Sequence, residues 1–361
     1  MTTPLTFFVD PAWRRQMQHI PLLYPFWGNA LGDSTPFQRT LFERHGFDKT
    51  HYRIVDDPAQ AEVIMLPYSH NLTVHMAPEL LVQALAVAEK YKKPLLIDGA
   101  GDIEYPVLEP HSIVLRYGGY RFAKRENEIH IPLYADDLLE AYCGGDLHMR
   151  QKKDKPSIGF SGWATLSLQQ EMRAVVKELP TRLRGIFDSR YNACKKGVFF
   201  RRQAIDVLKR SLLVESNFLI RNSYSGHRDT AQDAPEELQR AFVENLLQSD
   251  YGLDVRGDAN ASIRLFEILS LGRIPVIIDT ERNFPFSDIL DYSSFSYRID
   301  FRDLAHVPEL LAEFHANLSP GQFELMQKNA RRVYREYFRV DALTAYIMQA
   351  IRTRVAEPEL L

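Results

Sequence analysis

The chain has 361 residues, a formal net charge of -3, 45% hydrophobic residues and 25% charged residues. Its length suits two domains at roughly 150 residues each, its balance is that of a folded globular protein, and a charge so near zero argues against nucleic acid as a partner. The two cysteines, Cys143 and Cys194, are too few for a disulfide scaffold and too far apart for a zinc knuckle, so they read as free thiols of a reducing compartment. The opening MTTPLTFFVD lacks a basic start and a long apolar run. It reads as neither signal peptide nor membrane anchor, and the expected location is the cytoplasm.

In chain order, residues 5–9 form a first short strand, and the stretch 20–37 is rich in Pro, Gly, Asn and aromatic residues. Within it YPFWGN carries flat rings that would either stack on sugar faces or serve as core anchors. A helix over 37–45 leads to the strand 52–55 and then to a buried strand over 61–66 that ends in the polar Tyr68, Ser69 and His70. A helix over 78–90 is followed by the strand LLID at 95–98 and the turn GAGD at 99–102. Alternating strands and helices predict parallel, doubly wound sheets, whose ligands gather at the carboxyl ends of the strands. That puts His70, Asp98 and Asp102 on a functional edge. The pair Gly99 and Gly101 is a poor dinucleotide loop, because Glu104 stands where the third glycine belongs.

Short strands at 112–115 and 129–131 follow, and the hydrophilic QKKDKP at 151–156 is the expected linker. SIGFSGWA at 157–164 reads as a strand and a glycine turn, where the backbone of Ser161 and Gly162 either faces phosphates or forms an ordinary strand exit. Helices are predicted over 167–179, 197–210 and 235–247. Between the last two, FLIRNSYSGHRD carries Arg221 at a strand end, suited to a phosphate, and His227 and Arg228 in a polar loop. Residues 307–355 are expected to be helical. There Lys328, Arg331, Arg332 and Arg335 alternate with Val333, Tyr334 and Phe338 in a basic amphipathic pattern. Such a face either touches an anionic membrane or is solvated on its charged side.

The most informative stretch is DVRGDANASIRLFEILSLGRIPVIID at 254–279. A polar loop leads to a short helix that Asn260 or Ser262 can cap and Gly272 ends, and then to a β-branched strand. Ile263, Leu265, Phe266, Ile268 and Leu269 cover most of the helix, which predicts burial. Arg264 and Glu267 nevertheless sit in it one turn apart, and buried charges are costly unless paired or given a ligand. The loop amides, the positive helix end and the guanidinium of Arg264 would converge on an anion. Glu267 can accept hydrogen bonds from hydroxyls such as those of a ribose. An ion pair between Arg264 and Glu267 that merely joins two elements is the other reading of the same residues.

This stretch resembles the C-terminal signature of the exostosin-like glycosyltransferases, a loop of the type RGxxNxSxRLxExLxxGxIPVI followed by LPFxxxxDWSxF. The chain matches it at Arg256, Gly257, Asn260, Ser262, Arg264, Leu265, Glu267, Gly272, Ile274, Pro275 and Val276, then at Pro285, Phe286, Asp291, Ser293 and Phe295. Phe284 replaces the usual Leu and Tyr292 the usual Trp. The resemblance implies an α/β fold of the GT-B type, two Rossmann-like domains facing a central cleft. It would place an acceptor-side domain at 1–152, a nucleotide-sugar domain at 153–335 and a helix returning to the first domain at 336–361.

It also implies inverting transfer of a sugar from a nucleotide-sugar donor, a UDP-sugar first of all, to a hydroxyl of a glycan or lipid-linked glycan. Arg221, Arg256, Gly257, Asn260, Ala261, Ser262, Arg264, Glu267, Ser161 and Gly162 become the expected donor site, and Asp98, Asp102 and His70 the candidate bases. No Asp-x-Asp motif stands at a persuasive strand end, since Asp56-Asp57 and Asp136-Asp137 are adjacent pairs, so no metal or other cofactor is expected. Eukaryotic exostosins are typically tethered in the Golgi; this N-terminus points instead to a bacterial-type cytosolic version, with the basic helix as the expected contact with the inner face of a membrane. A noncatalytic nucleotide-sugar or glycan-binding protein is the alternative, and a nicotinamide oxidoreductase is disfavoured by the poor glycine loop.

Overall fold

The computed structural model describes residues 3–28, 41–101, 106–165, 168–221 and 235–357. Asp102, His227 and Arg228 lie outside the described residues. Among the described residues eleven strands form two parallel sheets. The first takes β1 (Leu5–Phe8), β2 (Tyr52–Val55), β3 (Val63–Met65), β4 (Leu95–Asp98), β5 (Ser112–Arg116) and β6 (Glu128–His130) in the order β2-β1-β3-β4-β5-β6. The second takes β7 (Ser157–Trp163), β8 (Glu215–Arg221), β9 (Tyr251–Asp254), β10 (Ile274–Asp279) and β11 (Tyr297–Asp300) in the order β11-β10-β9-β7-β8. β3, β4, β5, β9 and β10 are buried along their whole length. Strands covered on both faces need continuous apolar runs rather than alternation, which LLID, SIVLR and IPVIID supply.

Helices cover the faces, among them Pro78–Tyr91 in the first unit and Gly197–Arg210 in the second. The helix predicted over 167–179 ends earlier, at Lys177, and a second one, Leu179–Phe187, follows with Pro180 in its first turn. Phe26 and Trp27 of YPFW are partly buried and pack against the core of the first unit. Phe26 packs edge-on against Tyr52 and Trp27 against His19.

The chain leaves the first unit before the hydrophilic run at 151–156. Leu138 and Leu139, in the helix Leu138–Cys143, already share a core with Phe242, Val243, Leu246, Ile268 and Leu271 of the second unit. The return is made by the helix Pro320–Val333, a π-helical turn at Tyr334–Phe338, and the helix Val340–Ala356. Val340, Leu343, Ile347, Met348 and Ile351 of that last helix are buried in the core of the first sheet. Thr344 Oγ1 accepts from the Asp48 amide at 3.1 Å.

The units are also joined beside their facing edges. The Asn283 amide donates to the Gly119 carbonyl at 3.0 Å, the Arg121 amide to the Glu281 carbonyl at 2.8 Å, and the Arg121 guanidinium pairs with Asp279 at 3.0 Å and Glu281 at 3.1 Å. Among the described residues no helix is long and apolar enough to cross a membrane.

Candidate active site

Between the sheets lies a cleft of about 480 Å³. One wall is built from Asp98 to Gly101 after β4, Arg116 to Gly118 after β5, Tyr134, and residues 18–21. The other is built from Gly162 and Trp163 at the exit of β7, Arg201, the loop residues Gly257 to Ala259, and Ala261 to Arg264. All of these follow the carboxyl ends of parallel strands or the start of a helix, where ligands of such sheets bind.

Arg264 is held in place from three sides. Its guanidinium lies 4.4 Å from the centre of the Phe160 ring and donates to the Ser161 carbonyl at 3.0 Å. Gly162, with φ +150°, leaves the room, since a Cβ there would come within 2.7 Å of Arg264 Nη2. Ser161 and Gly162 therefore act on the site through Arg264. Glu267, one turn further along the helix Ile263–Ser270, is half-buried, and its carboxyl is pushed up to about 7. Burial is the main cause; attraction to Arg264 opposes it and repulsion from Asp254 adds to it. Glu267 lies behind Arg264 and does not line the cleft. Ser262 occupies the cap position of this helix without a capping hydrogen bond from its side chain, leaving its hydroxyl at the cleft wall.

Arg256, Asn260 and Arg221 are placed otherwise than the sequence suggested. Arg256 is 1% exposed and absent from the cleft wall. It donates to the carbonyls of Ala193 at 3.0 Å, Asp258 at 2.8 Å and Lys195, between the rings of Tyr120 and Phe200. A guanidinium so occupied fixes the loop rather than a phosphate. Asn260 donates to Gly119 O at 3.1 Å and Thr280 O at 3.0 Å, and accepts from Thr280 Oγ1 at 2.7 Å, so it ties the two units together. Arg221 donates to Leu238 O at 3.0 Å and to Ser161 Oγ at 3.4 Å, behind the strand that carries Gly162.

On the opposite wall Asp98 is 2% exposed. It accepts from the Ala100 amide at 2.7 Å and from the Tyr117 hydroxyl at 3.0 Å, and Tyr117 is in turn 3.1 Å from the Tyr134 hydroxyl. Burial raises its carboxyl to about 6 against the opposing effect of these donors and of Arg116. His70 pairs with Glu109 at 2.8 Å and is not part of the cleft wall, although its neighbour Ser69 is.

Two arginines of the cleft escaped the sequence reading. Arg201 donates to Trp163 O at 2.6 Å and Arg256 O at 3.0 Å, and Arg116 pairs with Glu128 at 2.9 Å. Arg201 had the same signal as Arg264, a charge on a helical face otherwise made of Ala204, Ile205 and Leu208, all buried. Among the described residues one group with metal-ligand chemistry, His45 with Asp137 and Glu140, lies away from the cleft. Its carboxylates are held by arginines, Asp137 by Arg331 at 2.7 Å and Glu140 by Arg339 at 3.1 Å.

Two Rossmann-like units that face each other across one cleft, with the last helix returned to the first unit, define a glycosyltransferase architecture of the GT-B type. Residues 196–314 match the family model of the Exostosin GT47 domain. Over these residues, a third of the chain, the protein is similar to an exostosin-like glycosyltransferase domain. The Exostosin-1 homolog of Caenorhabditis elegans is 30% identical over 129 residues, 35% of this chain and 33% of that protein. Exostosin-2 of Mus musculus is 28% identical over 130 residues, 36% of this chain and 16% of that protein. The chain thus spans a third or less of the length of these relatives. Among solved structures, Anabaena HepE in complex with UDP is similar with a TM-score of 0.38 at 12% identity, over 98% of this chain and all of that one. The glycosyltransferase from Rickettsia africae is similar with a TM-score of 0.39 at 10% identity, over 98% of this chain and 99% of that one.

Proposed function

We propose that the protein is an inverting glycosyltransferase that needs no metal ion and moves a sugar from a UDP-sugar to a hydroxyl of a glycan or glycoconjugate. The observation that carries this is the setting of Arg264. A guanidinium clamped by Phe160, Ser161 and Gly162 stands beside a helix start in the wall of a cleft between two Rossmann-like units.

In such a transfer the acceptor oxygen bonds to the anomeric carbon while the glycosidic bond breaks, and its electron pair goes to the diphosphate. Arg264, Arg201 and the amides at the helix start supply fixed positive charge where that negative charge accumulates. Arg264 is set there before the reaction, so no reorganisation is needed as the charge develops. The proton of the acceptor hydroxyl must go to a base on the opposite wall. Asp98 has the matching chemistry, a carboxyl raised towards neutral pH and oriented by Tyr117. Glu267, behind Arg264 and away from the cleft wall, attracts the guanidinium from the inner side and acts on the donor through it.

The test is a thermal-stability comparison with nucleotides and nucleotide sugars in EDTA, followed by turnover with the donor so found. A shift with UDP or one UDP-sugar that Arg264→Ala abolishes is the expected result. A folded protein that no nucleotide stabilises would overturn the reading, and a shift without turnover on any acceptor would leave a binding protein.

A further inference from the structure

The helices Leu168–Lys177 and Leu179–Phe187 carry an apolar face that points away from the protein. Met172, Val176, Leu179, Leu183, Ile186 and Phe187 are 63, 71, 53, 52, 75 and 91% exposed. The Glu178 amide donates to Ala174 O at 3.0 Å and the Arg182 amide to Glu178 O at 2.8 Å, so the helical ladder continues across the break. At 3.6 residues per turn these six side chains fall within about a third of the circumference of one helix roughly 30 Å long. The opposite side is the one that packs inward, through the buried Ala174, Glu178 and Gly185. Glu178 binds Arg182 and the Lys196 amide there.

Arg173, Lys177 and Arg184 are exposed and follow the same helical spacing, in a row along one flank of the apolar stripe. An outward apolar stripe bordered by a basic row is the pattern of a helix lying in the surface of an anionic bilayer. The contrast with the basic helix at 320–333 is chemical. There Arg331 is buried against Asp137, while Lys328 and Arg332 pair with Glu324 and Glu336. An antiparallel twofold contact with a second copy along the same stripe would bring two basic rows together, which a lipid surface does not.

We infer that this kinked amphipathic helix docks the protein on an anionic lipid surface. The helix leaves the cleft just after Trp163 and returns at Ala193 and Lys195, whose carbonyls hold Arg256 beneath the loop of the cleft wall. A docked helix is thus tied near both ends to the wall of the cleft, which keeps the site close to the lipid surface. Resting on the transferase reading, the acceptor would be a glycan carried on a lipid.

The experiment is flotation of the full chain with phosphatidylcholine vesicles, with and without phosphatidylglycerol. The unsubstituted protein is expected to float only with the anionic vesicles. Ile186→Asp combined with Phe187→Asp should weaken this by at least about tenfold. The triple variant R173Q, K177Q and R184Q should lose the preference for anionic lipid. Both variants should keep their melting temperature, and both should keep the shift with a UDP-sugar if the protein shows one. Vesicle binding without any nucleotide shift would uphold the docking helix and sink the transferase reading. Docking itself is overturned if the unsubstituted protein does not float. It is equally overturned if the apolar variant floats as well as the original, or if sedimentation shows a dimer that this variant dissolves.

Discussion

Arg264 and Arg256 bracket one loop, and their surroundings give them different uses. Arg264→Ala is expected to lower turnover about 10²- to 10³-fold with the fold intact, the usual result of removing one preorganised donor. Arg264→Lys should rescue little, because an ammonium cannot stack on Phe160 and reach Ser161 O with a planar fork. Arg256→Ala should instead destabilise the protein by roughly 3 kcal/mol or more, since several buried carbonyls lose a charged donor together. Denaturant midpoints measured beside turnover separate the two. Asp98 should make kcat/KM rise with pH through about 6, as the carboxylate form becomes available, and Asp98→Asn should give a low and flat profile. The same shifts act on stability in the opposite sense. Raised folded values for Asp98 and Glu267 give a contribution that is full below about pH 4 and lost as pH rises through about 6 and 7. Glu267→Gln should therefore compare better with the parent protein at pH 8 than at pH 5 in thermal melts.

At the scale of elements, the strand exit at Gly162 and the helix at 263–270 form one device, because the first leaves space that the second fills. Gly162→Ala should push the guanidinium from its seat and reproduce much of the activity loss of Arg264→Ala without touching a charge. Much of this device was legible in the residues: the helix, its two charges and its closing glycine follow from periodicity, the terminating Gly272 and the cost of buried charge, although neither Ser262 nor Asn260 caps it by a side-chain hydrogen bond. What was not legible depends on partners distant in sequence. Asn260 reads as a cap until Gly119 and Thr280 are seen to occupy it, and Arg256 reads as a phosphate ligand until Ala193 and Lys195 are seen beside it. Hydrophilicity placed the linker at 151–156, yet Leu138 and Leu139 had already crossed. Composition marks solvent exposure, and a crossing segment can be apolar when it packs on its destination.

For the whole molecule, the contact of Gly119 and Arg121 with residues 279–283 fixes the two walls side by side. Arg121→Ala should loosen that junction and weaken donor binding more than it lowers the melting temperature, since the Arg121 side chain is 42% exposed and partly exposed ion pairs contribute little to stability. Isothermal titration beside a melt would show it. The return of the helix Val340–Ala356 to the first sheet has a consequence in time. On a ribosome the first sheet emerges before the second, but its core lacks Val340, Leu343, Ile347, Met348 and Ile351 until the chain has been made through residue 351. The second sheet, whose strands all lie between Ser157 and Asp300, can close sooner. The half synthesised first is then the half completed last, and it waits with an open apolar face that a chaperone would recognise.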